Sequence, residues 1–306
     1  MQDFILILLE MTIAGNITFL VVKSIRHIMQ NKMSSILYYQ LLKGCLLCYL
    51  TPAYFLQMLA LDRGERKFHC YVSILIFNIG IVLYIRRKTK KQKWYIDILN
   101  HTSYPCTHKA LEKCMMEIKR EYHIPMNHTI QVWMNDYISS PMLAGIGKSA
   151  IYLPNVSLSE EELRYVLSHE MVHYIQKDLI MARVLNFLKV MLPCDPIVHI
   201  YIKELFNWGE CSVEEKMYQK SRVFDRRQYA RVLQKFLVEN RVENCYQVHM
   251  SDGDLKGFKI RLEQMKNHEK REKRADMFAM LIAICAVPIV IFVAVHITIR
   301  LGSYFI

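Results

Sequence analysis

The stretch Ser168-His169-Glu170-Met171-Val172-His173-Tyr174 constrains this chain more than any other. Two histidines four residues apart lie one above the other on a single helical face, because four residues make just over one turn. Two imidazoles so placed can share one Zn2+, with bonds of about 2.0–2.1 Å. Glu170, next to the first histidine, is expected to act as general base toward the attacking water, not as a ligand. This is the H-E-x-x-H arrangement of zinc peptidases. A bare pattern of this kind also arises by chance in a chain with 12 histidines. The surroundings favour the metal reading. Ser159-x-x-Glu162 reads as a capping box, so a helix starts there. Leu163, Val166, Leu167, Met171 and Val172 then recur at helical spacing, which puts the motif well inside the helix.

Part of the chain belongs in a bilayer. At 53% hydrophobic residues and 11% aromatic it is more apolar than a soluble globular protein. A net charge of +12 over 306 residues would suggest nucleic acid if it were spread over a soluble domain. Here the basic residues gather beside apolar runs, which points to a membrane surface and to no direct nucleic-acid binding. The nine cysteines form no framework of secreted type, and reduced thiols on the cytoplasmic side are the simplest inference. Cys45-Leu-Leu-Cys48 has no second pair and sits in an apolar run, so packing explains it better than metal or redox work.

Four spans are expected. The first covers 4–22, interrupted by Glu10 and Asn16, which are costly in lipid and should face other helices. The second covers 36–61, with a kink expected at Pro52, the third 68–85, and the fourth 277–299. Lys23, Arg26 and Lys32 follow the first span. Arg86 to Lys93 follow the third, and Lys266 to Arg274 precede the fourth. All three clusters fall on one side of a four-span arrangement, which the positive-inside rule makes the cytoplasm. Both termini are then outside. The organisation is a membrane region over 1–93, a cytoplasmic domain over 94–275 long enough for its own core, and the fourth span with a short tail over 276–306.

Within 94–275, Cys106 to Tyr122 carries apolar residues at helical spacing, and Thr129 to Trp133 alternates as a strand does. Met142 to Gly147 and Ala150 to Pro154 complete a short sheet feeding the capped helix. An edge strand there could bind a substrate backbone in extended form. Leu179 to Leu192 and Ile197 to Trp208 read as further helices. A zinc peptidase needs a third ligand and an open fourth position. The acidic candidates are Glu204, Glu210, Glu214 and Glu215, and spacing alone does not choose among them. Tyr218 and His199 are candidates for stabilising an oxyanion.

Taken together, Ser140-Pro141, Ala144-Gly145-Ile146, Ala150 to Pro154, Leu158 to Leu163 and His169 to Tyr174 with Lys177-Asp178 resemble the integral-membrane metallopeptidases of the BlaR/MecR type, family M56. The resemblance implies an α-helical membrane protein of about four transmembrane helices carrying an α+β, gluzincin-like zinc metallopeptidase domain. It implies His169 and His173 as zinc ligands, Glu170 as base and Glu210 as third ligand, with Glu215 as the fallback. The family's Glu-x-x-Cys-Asp becomes Glu210-Cys211-Ser212-Val213-Glu214 here. Glu214 thus stands where an aspartate hydrogen-bonding a ligating histidine is expected. Gln228-Tyr229-Ala230 and Lys259 with Arg261-Leu262 also resemble the family's helical tail. Residues 300–306 leave no room for the extracellular sensor domain of the β-lactam-sensing members, so that sensing is not carried over.

The resulting expectation is a multi-pass protein of the bacterial cell membrane with a cytoplasmic zinc endopeptidase. It would act on a protein or peptide substrate in signal-dependent regulation, a transcriptional repressor being the candidate the resemblance raises. Its other partners would be the lipid bilayer and, where the chain self-associates, a second copy in a homodimer. Two alternatives use the same residues: a non-catalytic membrane receptor keeping the peptidase fold, and a membrane quality-control protease.

Overall fold

The computed structural model describes residues 2–29, 32–50, 93–127, 129–145, 149–221, 224–239, 255–267 and 273–304, with residues 79, 83–84, 86–87 and 90 between them. These form two compact units, one drawn from Met1–Arg87, Asn186–Trp208 and Asn267–Ile306, the other from Lys88–Leu185 and Gly209–Lys266.

In the first unit, α1 (Gln2–Met29) and α2 (Ser35–Leu50) pack together, and both pack against α9 (Lys273–Tyr304). Ala14, Cys48 and Ala294 meet at a small buried cluster, where short side chains let the helices approach closely. Among the described residues, two helices have the length and apolarity to cross a bilayer, Leu8–Met29 and Lys273–Ile297. α2 is shorter, at 16 residues. The second expected span beyond Leu50, and nearly all of the third at 68–85, lie outside the described residues.

The polar interruptions of the first span are turned inward, as their cost in lipid requires. Glu10 is fully buried. Asn16 donates to Asp195 Oδ2 at 2.8 Å and accepts from Tyr49 Oη at 2.6 Å. Asp195 in turn caps the helix that starts at Pro196, accepting from the backbone N–H of Ile197 at 2.8 Å. Tyr201 Oη donates to the Leu42 carbonyl at 2.8 Å. These bonds explain why Asn186–Trp208 groups with α1, α2 and α9, whereas the division by sequence placed it with the soluble domain.

The second unit is built on a four-stranded sheet in the order β1-β2-β4-β3, with β1 (Ser103–Pro105), β2 (Gln131–Asn135), β3 (Met142–Ala144) and β4 (Ala150–Pro154). β2 and β4 run parallel, while β1 and β3 flank them antiparallel, so β3 is an edge strand. Two boundaries differ from the sequence expectation. Residues 103–105 are strand and the helix, α3 (Leu111–Glu121), begins only after Ala110. β2 begins two residues beyond Thr129, since Pro105, Tyr104 and Ser103 pair with Trp133, Met134 and Asn135.

α4 (Glu160–Gln176) lies over this sheet. Ser159 caps it through a complete capping box: Ser159 Oγ accepts from the Glu162 N–H and Glu162 Oε2 accepts from the Ser159 N–H. From Tyr165 to His173 every residue is buried, which an amphipathic surface helix does not allow. Its apolar side chains join Ile151 and Leu153 of β4 and Ile118 of α3 in one core. The same core takes in Val213 and Met217 of α6 (Pro196–Lys220), together with Val232 and Phe236 of α7 (Arg226–Glu239). α5 (Asp178–Met191) follows α4 after one residue, and α8 (Leu255–Asn267) completes the unit.

Candidate metal centre

The histidine pair is held from both ends. His169 Nε2 and His173 Nε2 face each other at 3.1 Å. Behind them, His173 Nδ1 donates to Asp178 Oδ2 at 2.8 Å, and His169 Nδ1 is bonded to Tyr229 Oη at 2.9 Å. A carboxylate can only accept, so Asp178 fixes the proton of a neutral His173 on Nδ1 and leaves the Nε2 lone pair facing His169.

Asp178 reaches this position because α4 stops at Lys177. That residue takes the left-handed conformation, with φ at 58°, and its N–H closes back on the Tyr174 carbonyl at 3.1 Å. The reversal turns the first residue of α5 back beneath the last histidine.

Glu210 comes from α6 and straddles the pair, with Oε2 3.4 Å from His169 Nε2 and Oε1 3.4 Å from His173 Nε2. The two imidazole nitrogens, 3.1 Å apart, and a carboxylate with one oxygen 3.4 Å from each of them suit one small ion. The edges of a tetrahedron with bonds of 2.0–2.1 Å are about 3.3 Å long. Among the described residues these three form the one group of His, Cys, Asp and Glu side chains close enough to hold a metal.

The electrostatics also suit a cation. Burial opposes a charge on His173, but Glu210 and Asp178 outweigh it and raise this group to about 10. Burial pushes His169 the other way, down to about 4. Burial would likewise raise Glu210, but Arg261 and His173 hold it well below the usual carboxylate range. Glu170 is fully buried and pushed up to about 7 by that burial, with its carboxyl beside the backbone of Leu143 on β3.

The other acidic candidates lie elsewhere. Glu204 accepts from Tyr38 Oη at 3.3 Å and Trp208 Nε1 at 3.2 Å, inside the first unit. Glu215 Oε1 accepts from Gln219. Glu214, expected to support a ligating histidine, instead takes Arg261 Nε on Oε1 at 2.5 Å. The position behind His173 is already filled by Asp178, and one helical turn beyond Glu210 the groove is occupied by a guanidinium from α8. His199 Nε2 donates to the Pro193 carbonyl, and the Tyr218 ring packs on Phe224 and under Arg226.

Three residues with no role assigned from sequence complete the arrangement: Asp178, Tyr229 and Arg261. Asp178 had a local signal, lying five positions after the second histidine. Tyr229 lies 60 positions from its histidine and Arg261 47 from Glu214, so no spacing rule reaches them.

A family model described as BlaR1 peptidase M56 matches residues 65–265. The chain belongs to this family. Among its relatives, the metalloprotease YhfN of Bacillus subtilis is 28% identical over 123 residues, covering 38% of this chain and 28% of that protein. The methicillin resistance mecR1 protein of Staphylococcus aureus is 25% identical over 136 residues, covering 42% of this chain and 22% of that one. The matched segment therefore spans less than a third of either relative. Membership of a metallopeptidase family, a cluster able to hold a metal, and two helices able to cross a bilayer together describe a membrane metallopeptidase or a regulator derived from one.

Proposed function

We propose that this protein is a membrane-embedded zinc endopeptidase that hydrolyses a peptide bond in a cytoplasmic protein. Its use would be signal-dependent regulation such as cleavage of a transcriptional repressor. The observation that carries this reading is the triangle of His169 Nε2, His173 Nε2 and a Glu210 oxygen, with the buried carboxyl of Glu170 on the same helix. His169, His173 and Glu210 would hold the zinc ion, which would supply a Lewis acid able to lower the pKa of water toward about 7 and polarise a carbonyl. Glu170 takes the proton of the attacking water and delivers it to the leaving amine. Burial, which raises its proton affinity, suits it to that exchange near neutrality. Asp178 and Tyr229 hold the imidazoles by their far nitrogens, so the near ones need no reorientation. β3 is the edge strand beside Glu170, and a substrate segment paired to it in extended form would bring its backbone to the site. The regulatory role rests on the family and on the mecR1 relative.

The test is Glu170→Gln in the full chain, purified in detergent. Zinc content should stay near one per chain, while cleavage of a trapped cytoplasmic substrate should fall by about 10²–10⁴-fold. Undiminished cleavage would remove Glu170 from its role. Zinc binding without any cleavage in the unaltered chain would favour the receptor reading instead. A Glu170→Gln variant that captures many unfolded proteins, not one partner, would favour quality control.

A further inference from the structure

The feature that the reaction does not yet use is Arg261. It is a buried guanidinium, 7% exposed, delivered by α8 into the space behind the metal triangle. It touches two carboxylates at once. Nε donates to Glu214 Oε1 at 2.5 Å, and Nη1 lies 3.2 Å from Glu210 Oε2. Glu210 and Glu214 are one helical turn apart on α6, so their side chains share a face. Two like charges buried so close repel, and a planar fork between them resolves the repulsion while fixing both orientations.

A cation 3.2 Å from a prospective metal ligand is at first sight unhelpful, since it competes with the metal for the same carboxylate. Its geometry explains why it is there. Glu210 has three side-chain torsions, so its carboxylate is oriented by the groups that contact it. Its Oε2 lies 3.2 Å from Arg261 Nη1 and 3.4 Å from His169 Nε2, so the guanidinium holds that oxygen against the histidine. Glu214 is the anchor that keeps the guanidinium from following Glu210 or swinging away.

We infer that Arg261 is the residue that positions Glu210 as a metal ligand, with Glu214 as its fixed support. This rests on the zinc-site reading above and assigns Arg261 and Glu214 a joint role distinct from holding a histidine.

The test is metal affinity of the full chain in detergent, measured with Zn2+ against a chromophoric chelator and with Co2+ by its visible absorption. Arg261→Gln alone strands two buried carboxylates and is a poor probe, because it threatens the fold. Arg261→Gln is therefore paired with Glu214→Gln, which removes the guanidinium and its anchor charge together, and Arg261→Lys keeps the charge but loses the fork. Both should weaken metal binding by about 10–100-fold while the circular dichroism spectrum stays unchanged. The Co2+ band should shift in shape, which a loss of stability alone does not produce. In a Glu210→Ala background, Arg261→Lys should change the residual affinity by less than about twofold, because its effect passes through Glu210. A double variant that folds and binds within about twofold of the unaltered chain would overturn the inference and leave the zinc site standing. An unaltered chain that takes up no metal would sink the zinc reading itself.

Discussion

A single backbone conformation does much of the work of holding His173. Lys177 is left-handed, and in consequence Asp178 lies under the imidazole at 2.8 Å. An L side chain in that region costs about 1–2 kcal/mol, of which glycine recovers most, less its own larger loss of backbone freedom on folding. Lys177→Gly should therefore stabilise the protein by about 1 kcal/mol, seen as a rise of about 2–4 °C in the midpoint of thermal unfolding. Metal affinity should not change, because the turn that delivers Asp178 is kept. A fall in the midpoint would mean that the Lys177 side chain contributes something its backbone geometry does not show. At this scale the sequence was informative where the chemistry is local. His169, Glu170 and His173 were read from spacing, and the helix start from Ser159 and Glu162. Tyr229 and Arg261 were not, because each reaches the site through tertiary packing from a helix tens of residues away.

At the scale of elements, the helix carrying the motif was legible because its cap and its apolar repeat agree, and both appear in the structure. The start of β2 was not, because strand ends are set by a partner, and the partner β1 is only three residues long. In the first unit the contact between α1 and α2 depends on an absent side chain, which no hydropathy pattern reveals. A Cβ on Gly15 would lie 2.2 Å from Cδ1 and 2.5 Å from Cγ of Tyr49. Those are atoms near the root of the ring, so the tyrosine cannot give way by moving its tip, and Tyr49 Oη is tied to Asn16. Gly15→Ala should cost about 1–3 kcal/mol through overpacking, despite alanine's better helix propensity. In detergent this would lower the unfolding midpoint, and in a Tyr49→Ala background the same substitution should cost little, because the clashing ring is gone. No loss on Gly15→Ala alone would show that α1 and α2 do not meet as described.

For the whole molecule, the arrangement of α1 and α9 bears on sidedness. Ala14, in the first half of α1, packs with Ala294, in the last half of α9. At the other end, the backbone N–H of Ser34, just beyond α1, donates to Asp276 Oδ1 at the start of α9 at 2.8 Å. The two helices are therefore antiparallel. The end of α1, with Lys23 and Arg26, lies with the start of α9, with Lys273 and Arg274, at one end of the bundle. This grouping follows from the packing alone and does not depend on how many spans lie between. Basic residues resist translocation, so the positive-inside rule predicts that end in the cytoplasm. On that prediction the segment leading into α9 would enter from the cytoplasmic side, and the far end of α9 would emerge outside. Alkaline phosphatase fused after Ile306 should be active in a bacterial host, because it folds only outside the cytoplasm, whereas the same enzyme fused after Glu239 should be inactive. Green fluorescent protein, which needs the cytoplasm to mature, should give the reverse pattern at the two positions. Active phosphatase after Glu239 would put the histidine pair on the outer face, where no repressor could reach it, and the regulatory reading would go with it.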